Sequence, residues 1–231
     1  MSSPSSIPGV LGTQAAGDLM IPDTTQKVAL GTSMNFMDPY YGLQTLTYGK
    51  AAAIQETGSL TYFDNAWTAT DIPNTANLGY PIAVAKAAMA ANSYGWYVVA
   101  GLAPWSASAS VAAGTAFGIT GAGTCGANTA GKQILGARIA VASTGTFTRS
   151  VTTRTGSAIM RATSTDGMFV GLAISGTGIA GGSTIATIDP DGVTFTTNNN
   201  ATGTATVTAT LTYTGFLLVY ANGAFGQGAI T

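Results

Sequence analysis

The chain has 231 residues, of which 7% are charged, with 8 basic and 9 acidic side chains and a net charge of −1, against a usual charged share of ~25%. That balance leaves no basic patch for nucleic acid, and no run of about 18 apolar residues is present to span a membrane. Histidine is absent and cysteine occurs once, which removes the commonest general acid/base and any intramolecular disulfide or thiolate metal site. The length suffices for a core that is stable without disulfides or metals. So little charge poorly equips a free monomer, and implies surface buried against other subunits.

Residues 1–45 read as an extended N-terminal arm. The opening MSSPSSIPGVLGT is dense in Ser, Pro and Gly and lacks the charged and apolar regions of a secretory signal. Pro4, Pro8, Pro22 and Pro39 interrupt any long element, and the apolar residues keep neither a strand nor a helix period. Yet Leu19, Met20, Ile21, Met34, Phe36, Met37, Tyr40 and Tyr41 are too apolar for a free disordered tail. The expectation is that this arm is ordered by lying on its own body or on a neighbour's.

Residues 43–72 read as strands (LQTLTYGKAAAI and GSLTYFD), with Tyr48, Tyr62, Phe63 and Trp67 suited to a sheet face or an interface. Residues 79–142 form the organising stretch, with glycine-bounded strands in IAVAKAAM, WYVVAGLA, SASASV, TAFGIT and KQILGARIAVA. The alanines of IAVAKAAMAAN favour helix. However, Pro81 precedes them and Asn92 and Gly95 follow, leaving about ten residues, short for an isolated helix; a strand is expected.

From Thr148 to Tyr213 threonine and glycine dominate. Short strands (SAIMRAT, AISG, STIATI, VTFT and TATVTATLTY) are separated by turns at Asp166 and Gly167, Gly181 and Gly182, and the DPDG of 189–192. Threonine alternates with apolar residues in TATVTATLTY, as in a strand with one wet face. We therefore expect an all-β protein: a small β-barrel or sandwich core at 46–147 plus 214–231, the arm at 1–45, and an inserted β-module at 148–213. GFLLVYANG supplies the last core strand.

Little in this inventory does chemistry. Cys125 lies in a small-residue loop with no histidine to activate it. GTGIAGG at 176–182 lacks the lysine of a phosphate-binding loop and reads as a turn. Asp189, Asp191 and the asparagines 198–200 could offer oxygen ligands to calcium, but DPDG is a turn signal in its own right. Asp64 and Asp71 could face each other as a glycosidase pair, yet both sit beside turns. No enzyme, cofactor or metal is expected.

Two stretches carry a resemblance. GYPIAVAKAAMAANSYGWYVVAGLA, SVAAGTAFGITGAG and AGKQILGARIAVA, with LTYGKAAAIQETGSLTYFD before them and GQGAIT at the end, resemble tailed-phage capsid decoration proteins, also called cement or head-stabilising proteins. GMFVGLAISGTGIAGGSTIATID with VTFTTNNNATGTATVTATLTY resembles a small β-module of phage virion surface proteins, with Gly182 and Ser183 where that pattern has Gly-Thr.

The resemblance implies a non-enzymatic virion protein, made in the host cytoplasm and bound to the capsid exterior. It would act as a homotrimer and bridge neighbouring copies of the major capsid protein. Leu19, Met20, Ile21, Met34, Phe36, Met37, Tyr40, Tyr41 and Trp67 become the candidate capsid or oligomer contacts. The competing reading is a host-surface glycan-binding module acting through 148–213, where Phe169, Phe195 and Tyr213 are the aromatics available. A major capsid or tail-tube subunit is disfavoured by the lack of a long amphipathic helix.

Overall fold

A computed structural model describes residues 18–143 and 145–227. The first part of the expected arm, residues 1–17, and the final residues of GQGAIT lie outside the described residues. Among those described, the one helical element is a 3-10 turn, Asp18–Met20; the regular structure is otherwise strand. The chain is all-β, built of two sheets.

The first sheet takes β1 (Ser33–Asp38), β2 (Gly42–Ala51), β3 (Leu60–Phe63), β4 (Thr68–Asp71), β5 (Ala83–Ala85), β6 (Tyr94–Ser106), β7 (Phe117–Gly121), β8 (Thr124–Ala127) and β9 (Gln133–Val141). The second takes β10 (Thr146–Thr153), β11 (Ile159–Ala162), β12 (Ala173–Ser175), β13 (Ile185–Ile188), β14 (Thr194–Thr197) and β15 (Ala205–Thr212). The chain then returns to the first sheet as β16 (Phe216–Gln227).

The first sheet runs β1-β2-β4-β3-β5-β6-β16-β9-β7-β8, and β2 also pairs with β6. The strands β2, β4, β3, β5 and β6 therefore form a closed ring, with β1 attached outside β2 and the other four strands outside β6. Register carries one face continuously around this ring. Thr47 is opposite Tyr97, Tyr97 opposite Ala85, Ala83 opposite Thr61, Phe63 opposite Ala69, and Ala69 opposite Ala51. A five-strand ring is narrow, and this face is built mainly of small residues: Ala51, Ala69, Ala83 and Ala85 cluster around Tyr97 and Met89. The other face carries Leu46, Tyr48, Leu60, Val84, Trp96 and Val98, which join the main core with Trp105, Phe117, Ile139 and Val219.

All six strands of the second sheet come from residues 146–212, in the order β12-β15-β10-β11-β14-β13. Its core is separate and includes Val151, Met160, Phe169, Leu172, Phe195 and Leu211. It leaves and rejoins the first sheet at one place, because Leu218 of β16 pairs with Val141 of β9 and the Tyr213 amide donates to Gly145 O at 3.0 Å.

Two expectations differ from this architecture. Residues 33–38 were expected in an arm without regular structure, but they pair along their whole length with β2. The Gly42 turn, with φ of +77°, folds the segment back onto the body. IAVAKAAM was expected as a strand through its length. Only Ala83–Ala85 is one: the chain bends at 86–87 after a last bond from the Lys86 amide to Trp96 O at 3.1 Å, and the alanines beyond it leave the ladder.

Candidate interaction surfaces

The residues expected to make contacts separate by position. Leu19 and Phe36 are buried in the main core, with Met34 packed against it, and Met20 packs on the core of the second sheet. Their apolarity is satisfied within the chain itself. Ile21, Met37 and Trp67 remain exposed, at 47%, 63% and 41%.

Met37 has a partner that the sequence did not single out. Leu43 lies directly across the β1–β2 hairpin from it and is 59% exposed. Two large apolar side chains therefore stand side by side in solvent at the hairpin end, one on the edge strand β1 and one on its neighbour β2. The signal was present in the turn sequence between them, DPYYG at 38–42, but only the register reveals the pair.

Tyr40 and Tyr41 serve a different purpose: they fasten the hairpin tip to the second sheet. The Tyr41 hydroxyl donates to Gly167 O at 2.9 Å. The Tyr40 ring covers Gly167 so closely that a Cβ there would lie 2.6 Å from it. Arg149 lies over the Tyr40 and Phe147 rings, 5.4 and 4.9 Å from their centroids, and donates to Asp166 O at 2.7 Å.

Beside this fastening is a cavity of about 260 Å³ between the sheets, lined by Met20, Tyr41, Lys86, Met168, Phe169 and Ile188 among others. Lys86 is buried. Its ammonium donates to Asp38 Oδ2 at 3.0 Å and to Gln44 Oε1 at 2.8 Å, and Gln44 in turn donates to Leu102 O at 2.6 Å. Burial lowers the Lys86 pKa and the Asp38 carboxylate opposes that shift. The charge holds β1 and β2 to the end of β5.

The groups able to do chemistry are occupied or shielded. Cys125 is fully buried, its thiol donates to Ser106 O at 3.3 Å, and burial pushes its pKa up to about 12, so at neutral pH it is a thiol and not a nucleophilic thiolate. Asp64 Oδ1 accepts the Ala66 and Thr68 amides at 2.8 Å each. Asp71 is half-buried beside Gly123, and desolvation raises its pKa. Asp191 accepts from the Val193 and Thr194 amides and the Thr194 hydroxyl, which is the turn role of DPDG. Among the described residues no three His, Cys, Asp or Glu side chains come together as a metal site. Phe169, Phe195 and Tyr213, the aromatics of the insert, are all buried and offer no stacking surface.

A second concavity, about 730 Å³, lies at one end of the ring, lined by Thr47, Phe63, Trp67, Ala83, Val99 and Phe225 among others. Trp67 forms part of its exposed wall.

No protein-family model matches the chain, and no curated protein or solved structure matches it either.

Proposed function

We propose that the chain is a structural virion protein that binds the outside of an assembled phage capsid and stabilises it by bridging neighbouring major capsid proteins. The observation that carries this reading is the exposed pair Met37 and Leu43, held on a hairpin fixed by Lys86, Tyr40 and Tyr41. Such a pair, on a chain only 7% charged, suits apolar docking onto another protein. Fully burying a side chain of this type is worth about 1.5–3 kcal/mol, so one copy of the pair binds weakly. A homotrimer displaying three copies to a regular lattice binds strongly, because later contacts form at high effective concentration. Attachment then favours the assembled shell over free subunits. The insert's buried aromatics favour this reading over glycan binding through 148–213.

The test is the double substitution Met37→Asp and Leu43→Asp. Both positions are exposed, so the circular-dichroism spectrum should stay that of the parent. Retention on purified capsids should fall at least about tenfold, roughly the 1.4 kcal/mol that a tenfold change represents, multiplied by however many copies engage. Unchanged retention with an intact fold would refute the assignment of this surface.

A further inference from the structure

The connection between β3 and β4 is a tight turn in which the Trp67 amide donates to Asp64 O at 3.1 Å. Trp67 has φ of +60°. That left-handed region costs least for glycine or asparagine and is an outlier for a bulky residue. Strained residues of this kind cluster at binding sites. The indole packs on Gly31, where a Cβ would lie 2.3 Å from the ring, and meets Phe63 edge-on at 5.6 Å. Even so, Trp67 remains 41% exposed.

That exposed indole borders the groove at the end of the ring. The groove's volume, about 730 Å³, lies within the range of small-ligand sites, which favour barrel mouths and combine an apolar lining with few polar groups. Thr47 Oγ1 is bonded to Ser33, and the other polar side chains of the lining, Asp64 and Asn65, belong to the same turn as Trp67. Asn65 makes no side-chain hydrogen bond among the described residues, and Asp64 uses only Oδ1 in the turn. Among the described residues, Asp64 is the one charged side chain lining the groove.

We propose that this groove binds a neutral oligosaccharide of two or three pyranose units, one ring stacked on Trp67 and its hydroxyls met by Asn65 and Asp64 Oδ2. A pyranose presents an apolar C–H face and a polar rim, matching an exposed aromatic face beside uncommitted acceptors and donors. Anionic sugars are disfavoured by Asp64 and by the lack of a lysine or arginine in the lining. A peptide adding as a strand would need a run of unpaired edge, and each ring strand that lines the groove is paired with a ring neighbour on both sides over part of its length, so only short stretches at Phe63, Ala83 and Val99 lie outside the ladders on one side or both.

The experiment probes a microarray of neutral and sialylated oligosaccharides with the intact labelled protein. The best-retained glycan is then titrated while indole fluorescence is followed. Trp96 and Trp105 are buried, so the change reports Trp67. The expected result is retention of neutral glycans, at least tenfold weaker binding in Trp67→Asn, and three- to tenfold weaker binding in Asn65→Ala. Asparagine suits the left-handed turn, so Trp67→Asn keeps the backbone, and an unchanged circular-dichroism spectrum confirms it. The proposal is overturned by silence across the neutral glycans, by preference for sialylated ones, or by equal affinity in Trp67→Asn. A fluorescence change that follows protein concentration alone also overturns it, placing a second copy in the groove. No capsid takes part in these measurements, so their outcome is independent of the attachment reading.

Discussion

Lys86 is 8% exposed and has exchanged its hydration for two acceptors, Asp38 and Gln44. Removing one partner of a buried pair strands the other charge and costs about 3–5 kcal/mol; after Lys86→Met the Asp38 carboxylate still accepts from the Tyr40 and Tyr41 amides at 2.9 Å each, whereas after Asp38→Asn the buried ammonium has no counter-charge. Asp38→Asn should therefore lower the urea midpoint more than Lys86→Met, even though both break the same contact. Equal losses would mean that the ammonium is hydrated through the adjacent cavity.

The titrating side chains also make a directional claim at this scale. Burial pushes Cys125 from 9.0 up to about 12 and Tyr48 from 10.0 up to about 12, and raises Tyr41, Tyr97 and Tyr213 above 10.0. A group whose folded pKa is raised stabilises fully below its unfolded value, and that contribution is lost as pH climbs through the folded value. Lys86, with a lowered pKa, works in the opposite sense below its ordinary 10.5, but five raised acids outweigh one base. The melting temperature should fall steadily from about pH 10, and these tyrosines should ionise only as the chain unfolds. A melting temperature that is flat to pH 11.5 would contradict this burial.

Among the elements, the β1–β2 hairpin joins both sheets, and Gly167 is where it is fastened. Gly167 has φ of +80° and lies under the Tyr40 ring. Gly167→Ala should destabilise by about 1–3 kcal/mol, combining backbone strain and overpacking. Adding Tyr40→Ala should recover part of that loss, because removing the ring removes the clash, so the two effects are not additive. Strict additivity in chemical denaturation would show that the ring does not rest on this glycine.

The strands of the second sheet were legible because their pattern is local. TATVTATLTY alternates, and β15 places Ala209 and Leu211 inward between exposed or half-exposed threonines. The DPDG and glycine turns fell between strands as their chemistry dictates. Ring closure was not legible, since the pairings of β2 with β4 and β6 join distant segments without a sequence signature. The contact candidates were half legible. Apolarity marked Leu19, Phe36 and Met37 alike, yet burial separates them, and the exposure of Leu43 depends on its register with Met37. Trp67 was visible as an aromatic, but its left-handed backbone was not.

For the whole molecule, the second sheet branches from one point between β9 and β16, so the first sheet is continuous without it. Each sheet keeps its own core. Net charge of −1 gives weak long-range steering and little salt dependence, which distinguishes apolar attachment from electrostatic attachment. The proposed attachment requires an assembled shell. The most direct measurement is sedimentation of the purified protein with purified phage capsids, and separately with unassembled major capsid protein, at low and high salt. The protein should co-sediment saturably with assembled shells and little with free subunits, at nearly the same occupancy at both salt concentrations. Protein that stays in the supernatant with assembled shells, or attachment that vanishes at high salt, would contradict it.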